Sequence, residues 1–123
     1  MNHGFVRSGS GAITTFDAPG AGTAAKQGTF TYSINQAGVI ARFYIDGGSI
    51  RHGFVRSASG TITSFEAPGP GTGAGEGTRA VSISPAGAIA GFYSDASGGS
   101  HGFLRSASGA IATFDAPGAG TSN

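Results

Sequence analysis

The stretch His52-Gly53-Phe54-Val55-Arg56-Ser57-Ala58-Ser59-Gly60-Thr61-Ile62-Thr63-Ser64-Phe65-Glu66 reads as two short strands about a turn. Ala58-Ser59-Gly60 fits a type I turn followed by a left-handed glycine, a common three-residue hairpin loop, because glycine alone takes that positive φ at little cost. With Ser57 closing the turn against Thr61, period-two alternation puts His52, Phe54, Arg56, Ile62, Ser64 and Glu66 on one face. Gly53, Val55, Ser57, Thr61, Thr63 and Phe65 take the other. Each face owns a Phe and an aliphatic residue, so neither reads as a wet face.

Sliding the chain along itself returns the same phrase twice more. His3-Gly4-Phe5-Val6-Arg7-Ser8 and His101-Gly102-Phe103-Leu104-Arg105-Ser106 flank the first copy, and His3, His52 and His101 stand 49 residues apart with no gap needed. Phe65-Glu66-Ala67-Pro68-Gly69 likewise returns as Phe16-Asp17-Ala18-Pro19-Gly20 and Phe114-Asp115-Ala116-Pro117-Gly118. A fixed period of this length marks a solenoid, a propeller or an array, in which one unit needs neighbours to bury its faces. The chain is therefore expected to be one repeat array over 1–123, with repeat one at 3–51, repeat two at 52–100 and a half repeat at 101–123.

A second hairpin lies between successive copies of the first. Ser84-Pro85-Ala86-Gly87-Ala88 carries Pro preset for the first central turn position and Gly87 at its end, so Arg79 to Ser84 and Ala88 to Ser94 are expected to pair. Asn35-Gln36-Ala37-Gly38 is the earlier copy. Alternation places Val81, Ile83, Ile89 and Tyr93 on one face and Ala80, Ser82, Ala90 and Phe92 on the other. Sheets that are apolar on both sides must be sandwiched between others, as a blade is inside a β-propeller. The fold class expected is all-β, built of antiparallel four-stranded units of the propeller-blade type.

Composition agrees and removes several function classes. Of 123 residues 24 are Gly, against a usual share of roughly 7%, which excludes an ordinary helical domain. Seven Lys and Arg balance six Asp and Glu, and a net charge of +1 gives no electrostatic footprint for nucleic acid. The absence of Cys removes disulfides and thiolate metal sites, and no apolar run is long enough for a membrane-spanning helix. Nine Phe and three Tyr suffice for a β-type core. The residues after Met1 show no basic stretch followed by an apolar run, so no secretory signal is expected.

The run Ser82-Ile83-Ser84-Pro85-Ala86-Gly87-Ala88-Ile89-Ala90-Gly91-Phe92-Tyr93, a short loop, and then His101-Gly102-Phe103-Leu104 resembles the bacterial extracellular repeat family named for its His-Ala-Phe signature, the HAF repeats. Gly stands where that signature has Ala in all three copies. The resemblance implies a secreted or cell-surface protein of propeller-like repeats, with no established catalytic function and no catalytic residue to carry over.

The hairpin register sets His3 opposite Asp17, His52 opposite Glu66 and His101 opposite Asp115. A functional reading makes each pair a His–carboxylate dyad for acid–base work, with Arg7, Arg56 or Arg105 two positions further along. A cross-strand pair that stitches each unit is preferred, because packing devices are copied into every repeat and catalytic sites rarely are. Convergence of the three His on a metal would require a common axis, and nothing else clusters with them, so no metal and no cofactor are expected. Gly69-Pro70-Gly71-Thr72-Gly73-Ala74-Gly75-Glu76-Gly77 lacks the Gly-Lys-Ser/Thr ending of a phosphate loop and reads as a connection between hairpins. Tyr44 with Asp46 and Tyr93 with Asp95 recur at the end of a strand, where an aromatic face and a carboxylate would suit a sugar. Packing of the Tyr and turn capping by the Asp is the blander account of the same residues.

Two function classes result, ahead of a third, an enzyme, for which no asymmetric cluster of titratable residues is found in the sequence. Closing a ring takes about four or more blades, and the chain holds about two and a half periods, so its blade faces call for another copy of itself, in a closed ring or an open filament. The first class is thus a non-enzymatic, self-assembling module with a structural or interaction role. The alternative is a multivalent, lectin-like propeller that binds glycans through the Tyr–Asp sites.

Overall fold

The computed structural model describes residues 1–115. The end of the half repeat, with the third Ala116-Pro117-Gly118, lies outside the described residues. Among the described residues ten strands and no helix follow one another: β1 (Gly4–Arg7), β2 (Ile13–Phe16), β3 (Gly28–Ile34), β4 (Ile40–Ile45), β5 (Arg51–Arg56), β6 (Ile62–Phe65), β7 (Gly77–Ile83), β8 (Ile89–Ser94), β9 (Ser100–Arg105) and β10 (Ile111–Phe114).

The turns form where glycine permits them. The Ser57 N–H donates to the Thr61 carbonyl and the Gly60 N–H to the Ser57 carbonyl, with Gly60 at φ +103°. Gly11 and Gly109 play the same part at φ +95° and +102°. The register opposes Gly53 to Phe65, Phe54 to Ser64, Val55 to Thr63 and Arg56 to Ile62. This is the alternation that the sequence requires.

The hydrogen-bonded sheets straddle the sequence period. β4 pairs antiparallel with β5 along its whole length, from Ile40–Arg56 to Ile45–Arg51, so β3-β4-β5-β6 is one antiparallel meander over 28–65. β7-β8-β9-β10 is a second, over 77–114, and β1-β2 is a separate hairpin. The strand-to-strand loop at Asp46 explains the phase: the Asp46 carboxylate accepts the N–H groups of Gly48 and Ile50, folding Asp46–Ile50 into a tight turn. A single parallel pair, Arg51 with Gly77, joins the two meanders, and Asn2 with Gly28 joins β1-β2 to the first. No closed barrel or ring forms among the described residues.

One face assignment is corrected. Between Ala80 and Ser82 the β7–β8 register shifts, so Val81 is the extra residue of a β-bulge and is exposed, not buried beside Ile83. Ala80, expected on the Phe92 face, instead pairs with Gly91 and is buried with Ile89, Tyr93 and Phe103. The inserted residue flips everything before it on β7.

The core lies between sheets. Val6 and Phe16 of the first hairpin pack on Ile40, Tyr44, Phe54 and Ile62 of the first meander. Ala41, Val55, Phe65 and Ala67 pack in turn on Ala80, Ile83, Ile89, Tyr93, Phe103 and Ile111. Alanines let β4 approach β7, with Cα atoms within 8 Å, while phenyl rings fill the β6–β9 side. Phe54 and Phe103 are 0% exposed, each burial contributing about 2–3 kcal/mol.

Candidate functional site

The loop from Asp46 to Ile50 and the hairpin that follows converge on His52. Its Nδ1 bonds the Glu66 carboxylate across the hairpin, and its Nε2 bonds Asp46 Oδ2 at 2.8 Å. The same clasp recurs 49 residues on: His101 Nδ1 bonds Asp115 Oδ1 at 2.9 Å, and Nε2 bonds Asp95 Oδ2 at 2.8 Å. At His3 only the cross-strand half is present, Nδ1 to Asp17 at 2.9 Å. The three cross-strand pairs therefore meet at bonding distance.

Charges respond to this geometry. Burial draws the His52 pKa down, but its hydrogen bonds to the Glu66 and Asp46 carboxylates outweigh that and raise it above the ordinary 6.5. The bonds to Asp95 and Asp115 raise that of His101. Asp95 is held well below the usual carboxylate range by His101, Ser97 and the backbone N–H of Gly99. Asp46 is lowered as well: burial opposes its ionisation, and His52 with the turn amides overcomes it. Each clasp holds an imidazole ring between two carboxylates. With both nitrogens engaged, neither His52 nor His101 offers a free lone pair for general-base work.

The tyrosines are placed differently from a sugar platform. Tyr44 and Tyr93 are only 7% and 8% exposed. Tyr44 stacks on His52 with centroids 4.9 Å apart, and Tyr93 lies over His101 at 5.0 Å. Burial raises the Tyr44 hydroxyl pKa. Asp46 and Asp95 are committed to turn and histidine, so neither Tyr–Asp pair presents a free ring face beside a free carboxylate. Each pair does come together at its own clasp, Tyr44 and Asp46 about His52 and Tyr93 and Asp95 about His101.

Sequence reasoning missed the second carboxylate. The signal was available: Asp46 and Asp95 both precede a histidine by six residues across a Gly-containing turn, which folds the carboxylate back onto the ring. It also missed the arginine–phenyl stacks, in which the Arg56 guanidinium lies 4.7 Å from the Phe16 ring centre and the Arg105 guanidinium 4.9 Å from that of Phe65. Their trace is the shared 49-residue spacing of Arg7, Arg56, Arg105 and Phe16, Phe65, Phe114.

The glycine-rich segment 69–77 lies in the β6–β7 connection, where the Glu76 carboxylate accepts the Gly73 N–H at 2.7 Å. Among the described residues no group of three or more His, Asp or Glu is arranged to hold a metal ion, and no helix is long and apolar enough to cross a membrane. Comparison with protein-family models, curated proteins and solved structures returns no match for this chain.

Proposed function

We propose that this protein is a non-enzymatic, self-associating module of propeller-like four-stranded blades, with a structural or interaction role. The observation that carries the reading is the stacking of sheets apolar on both faces, which leaves the outermost faces apolar as well. Phe5 at one end is 58% exposed and Phe114 at the other 59%. Exposed aromatic ends on a stack of sheets favour continuation by another sheet. The clasps support a non-catalytic role, since they engage both nitrogens of His52 and His101 and recur in each meander. An extracellular or cell-surface location follows from the resemblance to HAF repeats.

Light scattering over a concentration series, followed by negative-stain imaging of the same sample, tests the reading. A mass that is a multiple of 12.0 kDa, as small rings or as fibres, is the expected result. A monomer at every concentration overturns it.

A further inference from the structure

Inside the chain, one aromatic joint is built twice. Phe16 of β2 meets Phe54 of β5 edge-on, with centroids 6.3 Å apart and planes at 74°, beneath Arg56. Phe65 of β6 meets Phe103 of β9 at 6.0 Å and 72°, beneath Arg105. The inserting rings form the series Phe16, Phe65, Phe114, and the seats form the series Phe5–Arg7, Phe54–Arg56, Phe103–Arg105. Among the described residues two members are left over: Phe114 is a ring without a seat, and Phe5–Arg7 is a seat without a ring.

The aliphatic residues beside them sort the same way. Val6 packs forward onto the first meander and Val55 onto the second; their counterpart Leu104 is exposed on the Phe114 end. Ile62 and Ile111 pack backward onto the preceding unit, and their counterpart Ile13 is exposed on the Phe5 end. The two ends are thus complementary to each other and neither is complementary to itself.

Phe114 is also already poised. A Cβ at Gly102 would lie 2.7 Å from its ring, as a Cβ at Gly53 would from the ring of Phe65. The glycine of each His-Gly-Phe phrase admits the phenyl group of the partner strand, so the exposed ring holds the posture of its buried counterpart. Association then requires little ordering of that side chain.

Taking self-association as proposed above, we infer that the partner is a second copy docked head to tail, its Phe5, Arg7 and Ile13 receiving Phe114 and Leu104 of the first. Such a contact is heterologous, so it propagates until a ring closes or a filament grows.

The chain has no Cys, so single substitutions report the register. Leu104→Cys and Ile13→Cys proteins, which keep both phenylalanines, are treated with a short bis-maleimide separately and mixed. The expected result is a cross-linked dimer in the mixture alone. Dimer from either variant by itself means a face-to-face contact and overturns the register while self-association stands. The same holds if no dimer forms although light scattering shows oligomers. A monomer by light scattering overturns both proposals and leaves the ends to a different partner. Phe5→Ala and Phe114→Ala, at positions exposed in the free chain, should each weaken association about tenfold or more with unchanged circular dichroism. Undiminished association overturns the proposed joint.

Discussion

The ring of Phe65 stands edge-on to that of Phe103, 6.0 Å between centroids, although the two residues belong to different antiparallel meanders. Removing the buried partner should therefore loosen one meander from the next as well as empty a core site. Phe103→Ala is expected to lower stability by about 3–5 kcal/mol, read from urea unfolding. Phe5→Ala, at the same position of the period but exposed, should stay within about 0.5 kcal/mol in the monomer. Equal losses at the two positions would remove the account of a contact between meanders.

Thr78 is fully buried, and its hydroxyl accepts the Ala67 N–H at 3.1 Å; Thr29 does the same for Ala18 at 2.9 Å. Thr78→Val keeps the shape and leaves the Ala67 amide without its acceptor, at a cost of about 1–3 kcal/mol. Thr78→Ser should recover part of that loss. A Val variant as stable as the parent contradicts the assignment.

The clasps make stability depend on pH in a definite direction. His52 and His101 titrate above 6.5 in the folded chain, so their contribution is complete below 6.5 and fades as pH rises through the folded values. Asp46 and Asp95 titrate below 3.8, so their contribution is complete above 3.8 and is lost as pH falls through the folded values. The urea midpoint should thus fall as pH rises above about 6.5, and a His52→Gln, His101→Gln double variant should flatten that fall. An unchanged slope in the variant would assign it to other groups. His52→Ala alone is expected to cost about 1 kcal/mol, the scale of a cross-strand pair.

Gly77 sits at φ +110°, and a Cβ there would lie 2.0 Å from the Arg51 carbonyl oxygen. Gly77→Ala should therefore cost about 1–3 kcal/mol and weaken hydrogen-exchange protection at Arg51 and Gly77, where the meanders are joined. Retained protection would show that the join does not depend on this glycine.

Much of this fold is legible in residue order, because its turns are local. Gly60 after Ala58-Ser59 and Gly87 after Pro85-Ala86 fix hairpin registers within a few residues, and the three cross-strand His–carboxylate pairs follow from them. Sheet phase is less accessible: β4 pairs with β5 only because Asp46 caps its own turn, and the same Asp reads equally well as a ligand. The bulge at Val81 leaves no mark in the alternation of β7, since Ala80 and Ser82 fit either face. Burial of Tyr44 and Tyr93 is set by the neighbouring layer and is invisible within a single hairpin.

Among the described residues one parallel residue pair joins the two meanders, with the Asn35 side-chain amide also donating to the Ser84 carbonyl at 3.1 Å, so no extended hydrogen-bond ladder fixes the angle between them. That angle is set by side-chain thickness: alanines where β4 nears β7, opposed phenyl rings between β6 and β9. Resizing Ala80 or Phe65 is therefore expected to change the angle at which the two meanders pack.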